Sequence, residues 1–85
     1  MERLNLRQLE IFSAVVDAGS FTAAAEKLYL AQSTVSDNVR ALEELLHLKL
    51  FHRESKRRLT LPLEGKRVSR YAQDILGRCS ALLLD

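Results

Sequence analysis

Eighty-five residues, 47% hydrophobic and 28% charged, make one globular domain near the lower size limit for a core built without staples. No apolar run approaches the roughly 20 residues that span a membrane, and the N-terminal MERLNLRQLE lacks a signal-peptide pattern. The one cysteine, Cys79, has no intrachain partner, which fits a reducing cytoplasm.

The net charge of +2 conceals a division along the chain. Residues 1–48 carry four Lys/Arg against seven Asp/Glu, residues 49–70 eight against two, and residues 71–85 one against two. The cations of the middle third are Lys49, Arg53, Lys56, Arg57, Arg58, Lys66, Arg67 and Arg70. Such a cluster is ordinarily a solvated face. Behind a helix-turn-helix it becomes a surface for phosphate.

In chain order, Asn5 followed by Gln8 matches a capping box and predicts a helix from about Leu6. Leu9, Phe12 and Val16 give its inward stripe, flanked by Ile11 and Val15, and Gly19 ends it. With no polar reading face, this helix is expected to be scaffold. Phe21 to Tyr29 reads as a short Ala-rich helix with Ser20 or Thr22 as N-cap and Ala24, Ala25 and Leu28 inward. Small alanines allow a second helix to approach closely. A short turn around Leu30 and Ala31 leads into that second helix.

Ala31 to Leu46 carries Val35, Val39, Leu42 and Leu46 on one stripe of an amphipathic helix. The opposite face centres on Ser33, Asp37, Arg40 and Glu44, with Ser36 at its edge. Taken alone, this is the solvated face of a bundle helix, its small polar residues serving as caps. After a short helix and a tight turn, it is also what a major-groove reading helix needs: small hydrogen-bonding side chains at the leading end.

Leu48, Leu50 and Phe51 bring the chain back to the core, and Leu59 and Leu61 alternate with Arg58 and Thr60 in the period of a half-buried strand. His47 and His52 have no further His, Cys or carboxylate at ligand spacing, so both are expected to be structural or surface residues. Pro62 suits the first turn of a final helix from Leu63 to Leu84. Its stripe is Val68, Tyr71, Ile75, Cys79 and Leu82, widened by Ala72, Leu76 and Leu83. A helix that outruns its domain must bury such a stripe, and the same helix of a second subunit is the better account than its own domain alone.

An enzyme would need a nucleophile, base or metal constellation. The sequence offers no Ser-His-Asp arrangement, no metal-ligand cluster and no phosphate-cradling glycine loop. No catalytic residue and no cofactor is expected. A coiled-coil protein-interaction module built on the long helix is the alternative. It requires neither the cationic middle third nor the Gln32-Ser33-Thr34 start of the polar helix.

The pieces Gly19-Ser20-Phe21-Thr22, Ala24-Ala25, Ala31-Gln32-Ser33, Val35-Ser36, Arg40-Ala41-Leu42-Glu43 and Leu50-Phe51 with Arg53 stand in one order and spacing. With them the chain resembles the N-terminal domain of LysR-type transcriptional regulators, from about Leu6 to Gly65 and more loosely through the final helix. Molybdate-responsive regulators have a similar domain, but Gly19-Ser20-Phe21-Thr22 and Arg40-Ala41-Leu42-Glu43 sit better with the LysR type.

The resemblance implies a mainly α fold. A winged helix-turn-helix, three helices and a two-stranded β wing, would occupy residues 1–62, with a linker and dimerisation helix over 63–85. It implies sequence-specific binding to an interrupted palindromic operator in double-stranded DNA, as a homodimer through the C-terminal helix or a tetramer of the full-length protein. Family members are much longer, and their small-molecule effector acts through a C-terminal domain, so this chain is expected to be a DNA-binding fragment. By the same resemblance, Gln32, Ser33, Ser36 and Asp37 face base edges, and Thr22, Thr34, Arg40, Arg53 and Arg58 meet phosphate. Arg57 is the minor-groove candidate at the wing tip, with Lys56 and Arg58 as alternatives. The dimer face would be Val68, Tyr71, Ala72, Ile75, Leu76, Cys79, Leu82 and Leu83.

Three positions depart from the family pattern. His47 stands where glycine is usual, which leaves either a strained residue or a differently ended helix. Pro62 replaces a capping threonine. Asp37 occupies a position that is most often basic.

Overall fold

The computed structural model of the chain describes residues 3–52 and 59–84 and contains four helices. These are α1 (Leu6–Ala18), α2 (Phe21–Leu28), α3 (Gln32–Leu46) and α4 (Leu63–Leu84). The capping box forms as its spacing predicts. Gln8 N–H donates to Asn5 Oδ1 at 2.8 Å, and Asn5 N–H donates to Gln8 Oε1 at 3.1 Å. At the other end, Gly19 takes φ +79° and donates its N–H to the Val15 carbonyl at 2.9 Å.

α1 packs against all three other helices. That explains why its apolar surface is wider than one stripe. Ile11, Phe12 and Val15 are fully buried, whereas Val16 is only half-buried. The inward face is therefore centred on the residues read from sequence as flanking ones. Around it, Val35, Val39, Leu42 and Leu50 are also sealed from water, each contributing about 1.5–3 kcal/mol by its burial.

Ser20 is the N-cap of α2, its Oγ accepting the Ala23 N–H at 3.0 Å. Ala24 and Ala25 are buried, so α3 can lie close against α2. The helix stops one residue before its expected end, because Tyr29 adopts the left-handed conformation at φ 57°. α3 likewise ends in a left-handed residue, His47 at φ 56°. Of the two outcomes open at this position, the strained residue is the one adopted.

Beyond α3 the chain turns inward. Leu50 is fully buried, and the Phe51 ring lies 5.4 Å from that of Phe12, tilted, and 5.6 Å from that of Phe21, edge-on. His52 N–H donates to the Thr60 carbonyl at 2.8 Å in an isolated antiparallel bridge. Of the wing expected over Arg53 to Leu61, residues 53–58, with Arg53, Lys56, Arg57 and Arg58, lie outside the described residues.

α4 enters over Leu50. Gly65 is buried, and a Cβ there would run into the Leu50 carbonyl oxygen. Ser69 and Ala72 continue the buried edge, and Val68 and Leu76 pack on the core beside them. Within this chain Val68, Ala72 and Leu76 of the expected dimer stripe pack on the domain's own core. Among the described residues, no helix is long and apolar enough to cross a membrane.

Candidate nucleic-acid interface

α2, the three-residue turn Tyr29–Ala31 and α3 form a helix-turn-helix. The turn is fixed by backbone bonds, Tyr29 N–H to the Glu26 carbonyl at 3.3 Å and Leu30 N–H to the Ala25 carbonyl at 3.0 Å. Val35, Val39 and Leu42 hold α3 to the core with no side-chain exposure to spare. Their burial decides the helix's rotation, and hence which side chains point out. Gln32, Ser33, Thr34, Asp37 and Arg40 are exposed, Ser36 is half-buried at the edge, and Thr22 is exposed at the start of α2. Ser33, Asp37 and Arg40 thus share the outward side of α3, and Thr22 stands on the neighbouring α2.

The leading end of α3 has an open backbone. Ala31 is its N-cap and supplies no side-chain hydrogen bond, and the first intrahelical bond is Val35 N–H to the Ala31 carbonyl at 3.2 Å. Free N–H groups and the positive end of the helix dipole suit an anionic oxygen. Further along, Asn38 Nδ2 donates to the Thr34 carbonyl at 2.9 Å, which turns that side chain back onto the helix. Arg40 Nη1 lies 3.6 Å from Asp37 Oδ1, with both side chains largely exposed.

Two features escaped the sequence reading. Tyr29 is 95% exposed at the lip of the turn, an aromatic ring beside the leading end of α3. Its left-handed backbone gives no sequence signal, since only Gly, Asn or Asp would have suggested one. Glu43, read only as part of a motif, is buried, and its Oε2 accepts the Leu50 N–H at 2.9 Å. A glutamate beside the apolar stripe, one turn before the helix end, was the available hint.

Residues 6–66 match the bacterial regulatory helix-turn-helix proteins of the lysR family. The chain belongs to the lysR family. Among relatives, CfxR of Cupriavidus necator, an HTH-type transcriptional regulator, is 44% identical over 77 residues, covering 91% of this chain and 24% of CfxR. CzcR of Bacillus thuringiensis, another HTH-type transcriptional regulator, is 41% identical over 73 residues, covering 86% of this chain and 25% of CzcR. The chain thus spans about a quarter of the length of the curated relatives it matches. A solved structure of the BenM DBD in complex with benA site 1 DNA superposes with a TM-score of 0.90 at 38% identity, covering 94% of this chain and 89% of that one.

On this lysR-family domain, the remaining predicted residues divide by exposure. Tyr71 is 65% exposed, Ile75 37%, Leu82 75% and Leu83 87%, with Cys79 half-buried between them. These lie along the side of α4 that its own domain leaves uncovered. His47 and His52 are both exposed, and among the described residues no group of three or more His, Cys, Asp or Glu is placed to hold a metal ion.

Proposed function

We propose that this chain is the DNA-reading part of a cytoplasmic lysR-family transcriptional regulator, binding double-stranded DNA sequence-specifically as a homodimer. α3 lies in the major groove, with Gln32, Ser33, Ser36 and Asp37 toward base edges. Thr22, Thr34 and Arg40 meet flanking phosphates. By the family resemblance Arg53 to Leu61 supply the wing, with Arg53 and Arg58 on phosphate and Arg57 in the minor groove, where a narrow groove's enhanced negative potential favours arginine. Residues 1–62 are the reading unit, and 63–85 link two subunits.

One observation carries this reading: burial of Val35, Val39 and Leu42 turns the exposed polar side of α3 outward as a single face. The DNA complex of the BenM DBD, which shares this fold at 38% identity, supports docking of that face on a duplex. Dimerisation through Tyr71, Ile75, Cys79, Leu82 and Leu83 is supported by the exposed apolar edge of α4. Two-fold symmetry in the protein then demands an interrupted palindrome in the operator, since each subunit reads one half-site. A small-molecule effector would act through a further domain of the whole regulator, and tetramers would form only there.

The test is a mobility shift against a random duplex pool across a salt series, followed by sequencing of the retained fraction. Binding that weakens steeply with salt and enriches a palindromic sequence is the expected result. Retention without enrichment, or no retention at low salt, would remove the proposal.

A further inference from the structure

We propose that Asp37 is the residue of α3 that selects cytosine in each operator half-site, by accepting a hydrogen bond from the exocyclic N4 amino group. The inference rests on the major-groove reading of α3 and deepens it by naming a base.

The first step is that Asp37 does little for its own helix. It lies in the second turn of α3, beyond the first-turn positions where a carboxylate caps the N-terminus or offsets the helix dipole. The residue four positions on, where a cation would best support it, is Ala41. Its pairing with Arg40 at 3.6 Å is loose, and the two side chains are 72% and 59% exposed respectively. Exposed pairs of this kind contribute little.

The second step is what the side chain can bind. Asp37 shares the outward face with Ser33 and Arg40, so a duplex that meets this face meets the carboxylate. Phosphate oxygens repel it. A carboxylate accepts hydrogen bonds and donates none, which excludes the O6 and N7 of guanine and the O4 of thymine. Two major-groove donors remain, the amino groups of cytosine and adenine. Adenine's amino group stands beside its N7 acceptor, which opposes a second carboxylate oxygen, whereas cytosine presents the donor alone. The carboxylate therefore matches a cytosine.

The experiment is selection from random duplex with the 85-residue chain, run in parallel for the parent, Asp37→Ala and Asp37→Asn. The parent should enrich one fixed cytosine per half-site. Asp37→Ala should relax that position alone, lowering its discrimination on the order of tenfold, while binding random duplex more tightly. Asp37→Asn should move the preference toward adenine, the base an amide pairs with bidentately. Methylation of the selected cytosine at N4 should weaken the parent and leave Asp37→Ala unaffected. If the parent enriches a sequence and both variants enrich the same one, the assignment of Asp37 is overturned while the reading of α3 stands. If the parent enriches nothing, the major-groove reading falls, and the role of Asp37 with it.

Discussion

The Glu43 carboxylate accepts the backbone N–H of Leu50 at 2.9 Å inside the core. This bond spans the left-handed turn at His47 and fixes the end of α3 to the segment that runs into the His52–Thr60 bridge. The reading helix and the base of the expected wing are thereby joined by a buried strut rather than by a loop alone. Replacing Glu43 with Leu leaves the Leu50 N–H buried without this acceptor, at a cost of about 1–3 kcal/mol. Glu43→Gln keeps an acceptor oxygen in place and should lose less. Urea midpoints at constant slope distinguish the two. Equal stabilities for the Leu and Gln variants would show that the bond contributes nothing.

His47 ends α3 at φ 56°, where a residue with a Cβ is disfavoured. Its side chain is exposed and makes no hydrogen bond among the described residues, so little is lost by removing it. His47→Gly should therefore raise stability by up to about 1 kcal/mol, the strain relieved being partly offset by the greater freedom of glycine in the unfolded chain. Thermal unfolding checks this. A fall in midpoint would mean that the imidazole makes a compensating contact.

What the sequence revealed divides by the range of the interaction. Asn5 with Gln8, and Ser20 before an alanine run, act within one helical turn, so their spacing alone carries the message. The outward face of α3 was legible for the same reason: once Val35, Val39 and Leu42 are inward, Ser33, Asp37 and Arg40 must be outward. Gly65 was not legible as a packing residue, because what forbids its Cβ is the carbonyl of Leu50, fifteen positions earlier in the chain. The two sides of α4 were not legible for the same reason. Periodicity identifies an apolar face, but Ala72 and Tyr71 are neighbours in sequence with opposite surroundings, and only the position of α1 tells them apart.

That division of α4 separates folding from assembly. Ala72 is fully buried against its own domain, while Ile75 is 37% exposed on the other edge. Ala72→Asp places a charge in the core and should unfold the domain. Ile75→Asp should leave the helical circular dichroism intact and abolish association. Sedimentation equilibrium at high protein concentration reads the second outcome directly. A folded Ile75→Asp variant with the mass of the parent would move the dimer contact elsewhere.

Affinity for any duplex should come mainly from the cations, and salt dependence counts them. Each phosphate neutralised contributes about 0.9 to the slope of log K against log salt. The cluster Lys56, Arg57 and Arg58 belongs to the expected wing and supplies three positive charges within three consecutive positions. If all three reach the backbone or the minor groove, their joint replacement by Ala flattens the slope by roughly two to three units per subunit. Arg40→Ala, on the reading face, should instead flatten it by about one unit or less, since its charge is shared with Asp37. Base preferences give a further check on these contacts. Loss of phosphate-contacting wing cations such as Arg58 weakens cognate and random duplex by similar factors, because phosphate contacts position the protein without reading sequence. Loss of Arg40, placed on phosphate as well, should follow the same pattern. An unchanged slope in the triple variant, measured by fluorescence anisotropy over a salt series, would show that these three side chains face solvent and that the phosphate surface must be sought among Lys49, Lys66, Arg67 and Arg70.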